Sequence, residues 1–227
     1  MQHNRTRQTQ STLKGRHPLW LLFGFWFCVV ISIAVVVRRL NALIHPSPSP
    51  LPQMAGMDAT FASHAVLTEM HIIPAAIFVI LAVVVLLRRT GSEWLERLFF
   101  LFGAITGLTA YAMSRYAIGG WIERSAVFVF DTWFLFSLGR AYWLRRRGEP
   151  ARQRTWMTRA VGILLGIATT RPVMGVFFAT SPATHLRPNQ FFGIAFWIGF
   201  SINAAIVEIW LHSKRRARLH KDATPAY

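Results

Sequence analysis

The stretch from Ile72 to Leu87 restricts the fold of this chain more than any other, because it contains no charged or polar side chain. Arg88 and Arg89 end it, and a long apolar run closed by basic residues is typical of a membrane-spanning helix. The span begins earlier, at about Phe61, and its first third carries four polar residues that are costly in hydrocarbon: His64, Thr68, Glu69 and His71. Such residues either hold helices together or mark a functional site, and the sequence leaves both interpretations open.

Composition places the whole chain in the same class. Of its 227 residues, 53% are hydrophobic and 15% are charged, which indicates a polytopic membrane protein rather than a soluble one. The net charge of +16 does not predict nucleic-acid binding, because the basic residues flank apolar runs instead of forming one face of a soluble domain. They are expected to set the membrane topology and to attract anionic lipid. The single cysteine, Cys28, lies in an apolar run, and we expect it to face lipid without a partner.

The hydropathy pattern predicts an all-α bundle of six transmembrane spans, at about 18–37, 61–87, 98–117, 121–144, 156–179 and 191–211. Residues 1–17 and 213–227 are predicted to be basic tails, the first of them disordered, and 18–60 an anchor helix followed by an extended Pro/Ser-rich loop. Residues 61–212 form the remaining five spans. Two GxxxG pairs, at Gly103 and at Gly162, predict close helix packing, and Pro172 predicts a kink in the fifth span.

The distribution of Lys and Arg between the loops predicts the orientation. With six spans, one side of the membrane holds 17 of these residues and the other side holds four. Both termini are therefore expected to be cytoplasmic, with anionic lipid at that face. Arg38 and Arg39 go against the rule, since they fall on the outer side.

A polar cluster is predicted in the outer half of the bundle. At about 1.5 Å per residue, four groups lie at one level, roughly 12 to 15 Å below the outer face: Glu69, His71, Asp131 and Arg171. His64 and Arg115 lie nearer the surface and complete the cluster. Pairing is the least costly arrangement for buried charges, so an ion pair of Arg171 with Asp131 is predicted. Near the opposite face, Arg159 and Glu208 are expected to form a structural pair.

Several short motifs resemble an uncharacterised bacterial membrane family, domain of unknown function 2306. The resemblance covers roughly residues 62–212, and the residues that carry it are Gly119, Gly120, Trp156 and Met157 in QRTWMTRA, Arg171, Trp197, Asn203, Glu208 and His71, which matches by its distance to Arg88. The chain differs from the family pattern at two places. SEWLERLFF stands where the family has HR-x-x-GR, and Gln153 replaces the His of H-x-x-W-M. The resemblance implies a multipass protein of a bacterial inner membrane and no established chemistry.

Three functional classes remain open. The first is small-ligand binding, sensing or transport at the polar cluster. The second is a haem-binding redox protein, although His64 and His71 share one helix and axial ligands have to approach haem from opposite faces. The third is a structural or assembly protein with no ligand.

Enzymatic function is disfavoured by the absence of recognisable catalytic motifs. The chain has no G-x-S-x-G, H-E-x-x-H, C-x-x-C or P-loop sequence. A metal site would have to combine His45, His64, His71 and His185 from loops and helices, so no metal is predicted. The identity of a cofactor and the oligomeric state are not indicated.

Overall fold

The structure is a computed structural model that describes residues 19–45, 52–87 and 92–222. Within these ranges the secondary structure is helical throughout and contains no strand. The helices are α1 (Leu19–Ile44), α2 (Pro52–Ser63), α3 (Ala65–Leu87), α4 (Glu93–Ser114), α5 (Gly120–Arg146), α6 (Pro150–Leu164), α7 (Gly166–Thr184) and α8 (Pro188–Asp222). The predicted all-α fold is confirmed. The predicted tail at 1–17 lies outside the described residues, whereas the helix α8 continues into the predicted C-terminal tail as far as Asp222.

Five helical segments are long and apolar enough to cross a membrane: Leu19–Ile44, Ala65–Leu87, Glu93–Ser114, Pro150–Thr184 and Pro188–Ala217. The predicted fourth span, α5, has 27 residues, and a helix of that length extends about 40 Å. It falls outside the set because of its charged residues, which include Glu123, Asp131 and Arg140. The prediction of six spans is compatible with this arrangement.

The prediction of an extended loop before the second span is wrong for residues 52–60, which belong to α2. Proline is tolerated in the first turn of a helix, where its missing N–H would have no partner anyway, and Pro52 occupies that position. Residues 46–51, with the other prolines of the loop, lie outside the described residues. Helix α1 also continues past Arg38 and Arg39 to Ile44.

Asp58 of α2 forms ion pairs with both Arg38 and Arg39, the two residues that go against the predicted charge distribution. Its Oδ1 atom lies 2.6 Å from Arg39 Nη1, and its Oδ2 atom lies 3.5 Å from Arg38 Nη2. The Arg39 guanidinium also lies 4.0 Å above the ring of Phe61. These contacts join α1 to the segment that precedes α3.

The helices form an antiparallel bundle with two distinct ends. The connections at 115–119 and 185–187 lie at one end, called here the cavity end, and Arg145–Arg147 lie at the other, the basic end. Helix α5 packs on α4, α6 and α8, while α7 packs mainly on α8 and α1. Helix α1 is peripheral and contacts chiefly α3 and α7. Exposed large apolar side chains lie along the helices, and exposed tryptophans lie near their ends, as expected at a lipid boundary: Trp20, Trp94 and Trp121.

Glycines bring α8 into close contact with its neighbours. A Cβ atom on Gly166 would lie 2.9 Å from the Cα atom of Phe200, and one on Gly193 would lie 2.6 Å from the backbone nitrogen of Glu123. The predicted role of the Gly162 pair in close packing is therefore correct, since Gly166 is its second member. Gly193 serves the same purpose at the cavity end, where it allows α8 to approach the first turn of α5.

Polar side chains at the basic end pair as predicted. Arg159 Nη2 donates to Glu208 Oε2 at 3.0 Å, and Arg159 Nε donates to the other carboxylate oxygen. The two side chains are only 15% and 23% exposed, so this bidentate pair ties α6 to α8 in a largely dry setting.

The prediction for Cys28 is wrong. Its Sγ atom lies 3.8 Å from Thr169 Oγ1, and Thr169 donates to Asn203 Oδ1 at 2.8 Å. Asn203 in turn donates to the carbonyl oxygen of Gly162, one turn before the break between α6 and α7. A break in the fifth span lies at Leu165, while Pro172 lies inside α7, where the predicted kink stays a prediction. Cys28 thus packs against a polar chain that joins α1 to α7 and α8.

We expect Gly193→Ala to destabilise the protein by about 1–3 kcal/mol, because the new methyl group would meet backbone atoms that cannot rotate away. Gly139→Ala is the matched control, since a Cβ atom there meets nothing within 4 Å. Replacing Gly by Ala in an open helix interior should leave stability unchanged or raise it by about 0.5–1 kcal/mol. Thermal unfolding of both variants in detergent measures the difference, and equal melting temperatures would contradict the close packing.

Candidate functional site

A cavity of about 460 Å³ opens in the cavity end of the bundle. All eight helices contribute residues to its wall. Helix α6 contributes only Ile163 and Leu164, which lie at its deep end. Its volume falls within the range of about 300–1,000 Å³ that is usual for small-molecule sites.

Phenylalanine side chains form one wall and the floor of this cavity. Phe130 stacks on Phe200 with ring centroids 5.3 Å apart, and Phe196 lies 5.8 Å from Phe200. Phe192 continues the row 5.4 Å from Phe196. Phe134 closes the floor and packs edge-on against buried Phe78 below it. These rings offer an apolar surface to any molecule that enters.

Four of the six residues predicted for the polar cluster line the cavity: His64, His71, Asp131 and Arg171. Glu69 and Arg115 do not line it, and both are exposed on the outside of the bundle. Glu69 lies on the face of α3 that points away from His64 and His71, as helical periodicity required. Arg115 is the C-cap residue of α4, and its side chain extends away from the bundle.

The predicted ion pair between Arg171 and Asp131 is wrong. No nitrogen of Arg171 lies within 4.0 Å of a carboxylate oxygen of the described residues, and the buried atoms Arg171 Nε and Asp131 Oδ2 make no hydrogen bond there. The reason lies in the packing, because α5 and α7 are not neighbours and the cavity lies between them. Depth along a helix does not determine which helices are adjacent.

His71 is held by α4 through one ring nitrogen. Its Nδ1 atom lies 3.0 Å from Thr109 Oγ1, and that hydroxyl donates its single hydrogen to the carbonyl oxygen of Ile105 at 2.7 Å. This contact joins α3 to α4 beside the cavity.

His64 marks the break between α2 and α3 at the mouth of the cavity. Its ring stacks on Tyr116 with centroids 3.6 Å apart, and its Nδ1 atom contacts Ser63 Oγ at 3.0 Å. The hydroxyl of Thr68 donates to the carbonyl oxygen of Phe61, which lies on the other side of the break. His64 and Thr68 thus shape the rim of the cavity.

Glu123 also lines the cavity, although the sequence analysis did not select it. It is buried in the first turn of α5, and its Oε2 atom accepts a hydrogen bond from the Gly119 N–H at 2.7 Å. A carboxylate is favoured at a helix N-terminus by the unpaired N–H groups and the helix dipole. The Gly119–Gly120 pair followed by an acidic residue was the available signal, but it indicates a helix start and not a site.

Some of the charged residues on the cavity wall have partners within the protein, and others do not. Arg38 and Arg39 line it and are paired with Asp58. Glu123 is satisfied by backbone N–H groups, and it is the carboxylate that acts on Arg171 from a distance. Asp131 and Arg171 remain on different helices as a half-buried carboxyl group and a half-buried guanidinium, each facing the cavity rather than a protein partner.

The described residues contain no group of three or more metal-ligating side chains. His64 lies at the break between α2 and α3, and His71 lies about two turns further along, in α3, so both line the same side of the cavity. This geometry does not provide two histidines on opposite faces of a planar cofactor.

The long apolar helices and their exposed apolar side chains define a polytopic α-helical membrane protein. Residues 68–211 match the model of the family described as predicted membrane protein (DUF2306), and because the match covers more than half of the chain, the protein belongs to this family. Neither the curated proteins nor the solved structures contain a match. The family description gives a membrane location without an activity, so function has to be argued from the cavity.

We expect Arg171→Leu and Asp131→Leu to accumulate and unfold like the wild type. Neither change leaves an ion-pair partner uncompensated, and each removes a charge that is costly in a bundle interior. Arg159→Leu is the contrasting variant, because it leaves Glu208 without its bidentate partner and should cost about 1–3 kcal/mol. The melting temperatures of the three purified variants are compared with that of the wild type. A loss for Arg171→Leu as large as for Arg159→Leu would mean that Arg171 is a structural residue.

Proposed function

We propose that this protein binds a small amphipathic molecule in the cavity, as part of sensing or transport in the membrane. The observation that carries the proposal is that Arg171 and Asp131 face the cavity with buried polar atoms that no described residue satisfies. Charged groups inside a membrane protein that face a cavity instead of a partner are typical of ligand and transport sites.

A purely structural role is less consistent with these contacts. Side chains that join helices make their contacts with other helices, as Arg159 and Glu208 do at the basic end. Arg171 and Asp131 make none of this kind within the described ranges, so they contribute nothing visible to helix association. Their cost in hydrocarbon, about 2.5–3.5 kcal/mol each on the insertion scale, is offset only when water or a ligand solvates them.

The apolar walls indicate the other half of the ligand. A row of four phenylalanines and the floor at Phe134 provide an apolar surface, while the charged residues are few. Small-molecule sites commonly combine a mainly apolar lining with a few polar groups that fix orientation. Helix α1 supplies part of the wall through Ser32, Val35 and Val36, and it packs chiefly on α3 and α7, so a path from the bilayer would pass beside it.

We also propose that the protein lies in a bacterial inner membrane with the basic end and both termini in the cytoplasm. The support is the excess of Lys and Arg at that end. Aromatic side chains hold some of these cations at the interface, for example Arg147 over Trp143 and Lys214 over Trp210. Anionic lipid is the expected partner of this surface.

The orientation can be tested by cysteine labelling, because the chain has one cysteine. In a Cys28→Ser background, Asn189→Cys places a thiol at the cavity end and Arg152→Cys places one at the basic end, both at exposed positions. An impermeant maleimide should label the first in intact cells and the second only after lysis. Labelling of Arg152→Cys in intact cells would overturn the orientation.

Ligand binding can be tested with photoreactive probes and a variant that fills the cavity. Gly175 lines the cavity, and a Cβ atom there meets nothing within 4 Å, so Gly175→Phe should occupy the space without a backbone clash. Gly139→Phe is the matched control, since Gly139 is equally open and lies outside the cavity. Diazirine derivatives of dodecanoate and dodecanol are added to the protein in zwitterionic lipid vesicles, and the labelled residues are mapped by mass spectrometry.

At least one probe should label cavity residues in the wild type and in Gly139→Phe. The same labelling should fall by tenfold or more in Gly175→Phe, because the phenyl ring excludes the probe. Absence of cavity labelling by both probes, or equal labelling of the two variants, would contradict the proposed function.

A further inference from the structure

We infer that the polar end of the ligand is an anion, a carboxylate or phosphate group, which Arg171 binds while the apolar body lies along the phenylalanine wall. This inference rests on the proposed function and specifies the chemistry of the ligand. It follows from the partners of each charged group on the cavity wall, from the shape of the guanidinium and from the lining around it.

Arg171 is distinguished from the other cavity-lining cations of the described ranges by having no carboxylate partner. Arg38 and Arg39 share Asp58, at 3.5 and 2.6 Å. Arg171 has no carboxylate oxygen within 4.0 Å, and its Nε atom is buried without a hydrogen bond. The electrostatic influence of Arg38 and Arg39 on Arg171 is repulsive, which increases the gain from an anion at this point.

The carboxylate of Glu123 acts on Arg171 electrostatically, but it does not occupy the position proposed for the anionic group of the ligand. Glu123 is turned toward the start of α5, where it accepts hydrogen bonds from backbone N–H groups, including that of Gly119 at 2.7 Å. Its position is fixed by the close approach of α8 at Gly193, which leaves no room for α5 to shift. The guanidinium therefore keeps its donors available to the cavity.

A guanidinium presents five N–H donors in a planar fork, and this geometry matches the paired oxygens of a carboxylate or phosphate. Hydrogen bonds between such groups are shorter and stronger than those between neutral groups. An alcohol of the same length would meet the same apolar wall but would form only neutral contacts at Arg171. The cavity should therefore distinguish an anionic amphiphile from a neutral one.

The aromatic wall excludes a bare inorganic anion as the full ligand. Phe130, Phe192, Phe196 and Phe200 line the cavity along α5 and α8, and these rings offer no hydrogen bond to an anion. Burial of apolar chain against them contributes roughly 0.8 kcal/mol per methylene group. An anion with an apolar tail satisfies both parts of the cavity.

The experiment measures competition for the diazirine dodecanoate site in zwitterionic vesicles. Unlabelled competitors are dodecanoate, dodecylphosphonate, dodecanol, dodecylamine and inorganic phosphate. On the wild type we expect either anionic amphiphile to compete at least about tenfold better than dodecanol, from the difference between charged and neutral hydrogen bonds. Dodecylamine and inorganic phosphate should compete weakly. The ranking of dodecanoate and dodecylphosphonate distinguishes a carboxylate from a phosphate ligand.

Three variants assign the effect to Arg171. Arg171→Gln should reduce the preference for the anions over dodecanol by about tenfold, because the amide keeps hydrogen bonding but loses the charge. Arg115→Gln is the matched control, since Arg115 is an exposed arginine at the same end and lies outside the cavity. Asp131→Asn removes the opposite charge from the cavity and should strengthen anion binding. Partition into the bilayer is common to all variants and cancels in the comparison.

The outcomes separate this inference from the proposed function. If dodecanol competes as well as dodecanoate on the wild type, the cavity binds amphiphiles without regard to charge, and the inference is wrong while the proposed function stands. If Arg171→Gln and Arg115→Gln give the same preference, another group binds the anion. If inorganic phosphate competes as well as dodecylphosphonate, the apolar tail contributes nothing to binding, and the inference that the ligand has an apolar body is wrong. The wild-type comparison remains decisive even if Arg171→Gln does not accumulate.

Discussion

Polar groups inside a bilayer have to find partners within the protein or in a water-filled cavity, because lipid offers none. The two ends of this bundle meet that requirement in different ways. At the basic end Arg159 and Glu208 satisfy each other across α6 and α8. At the cavity end Arg171 and Asp131 lie on helices that do not pack closely against each other, and the cavity lies between them. The same requirement is met by an ion pair between two helices at the basic end and by an open cavity, the candidate binding site, at the cavity end.

The two interruptions in the long helices follow from the same requirement. Where α3 begins after the break at His64, the Thr68 hydroxyl donates to the carbonyl oxygen of Phe61. Near the break at Leu165, Asn203 of α8 donates to the carbonyl oxygen of Gly162. In both places a side chain thus satisfies a carbonyl group that precedes the break, which allows irregular backbone within an apolar bundle. The first break shapes the rim of the cavity, and the second lies beside its deep end.

The region that matches the family model, residues 68–211, contains the charged residues Glu123, Asp131 and Arg171 and the phenylalanine wall. Helices α1 and α2 precede this region, and they contribute the remaining wall together with Arg38 and Arg39. Their attachment depends on the Asp58 contacts and on the packing of α1 against α3 and α7. The ligand chemistry that we propose therefore resides in the family region, while α1 and α2 determine how the cavity is closed.

The sequence by itself determined the features that depend on local composition. The apolar runs predicted the helices. His71 and Arg171 were assigned to the interior because polar residues in such runs have to face inward. The pair of Arg159 and Glu208 was predicted because both residues lie at a similar depth on adjacent spans. The sequence did not determine which helices are neighbours. Depth along α5 and α7 suggested that Asp131 and Arg171 meet, but only the packing of α8 between its partners, at Gly166 and Gly193, separates them and leaves a cavity. Lateral adjacency is set by side-chain and backbone contacts between distant segments, and no single span carries that information.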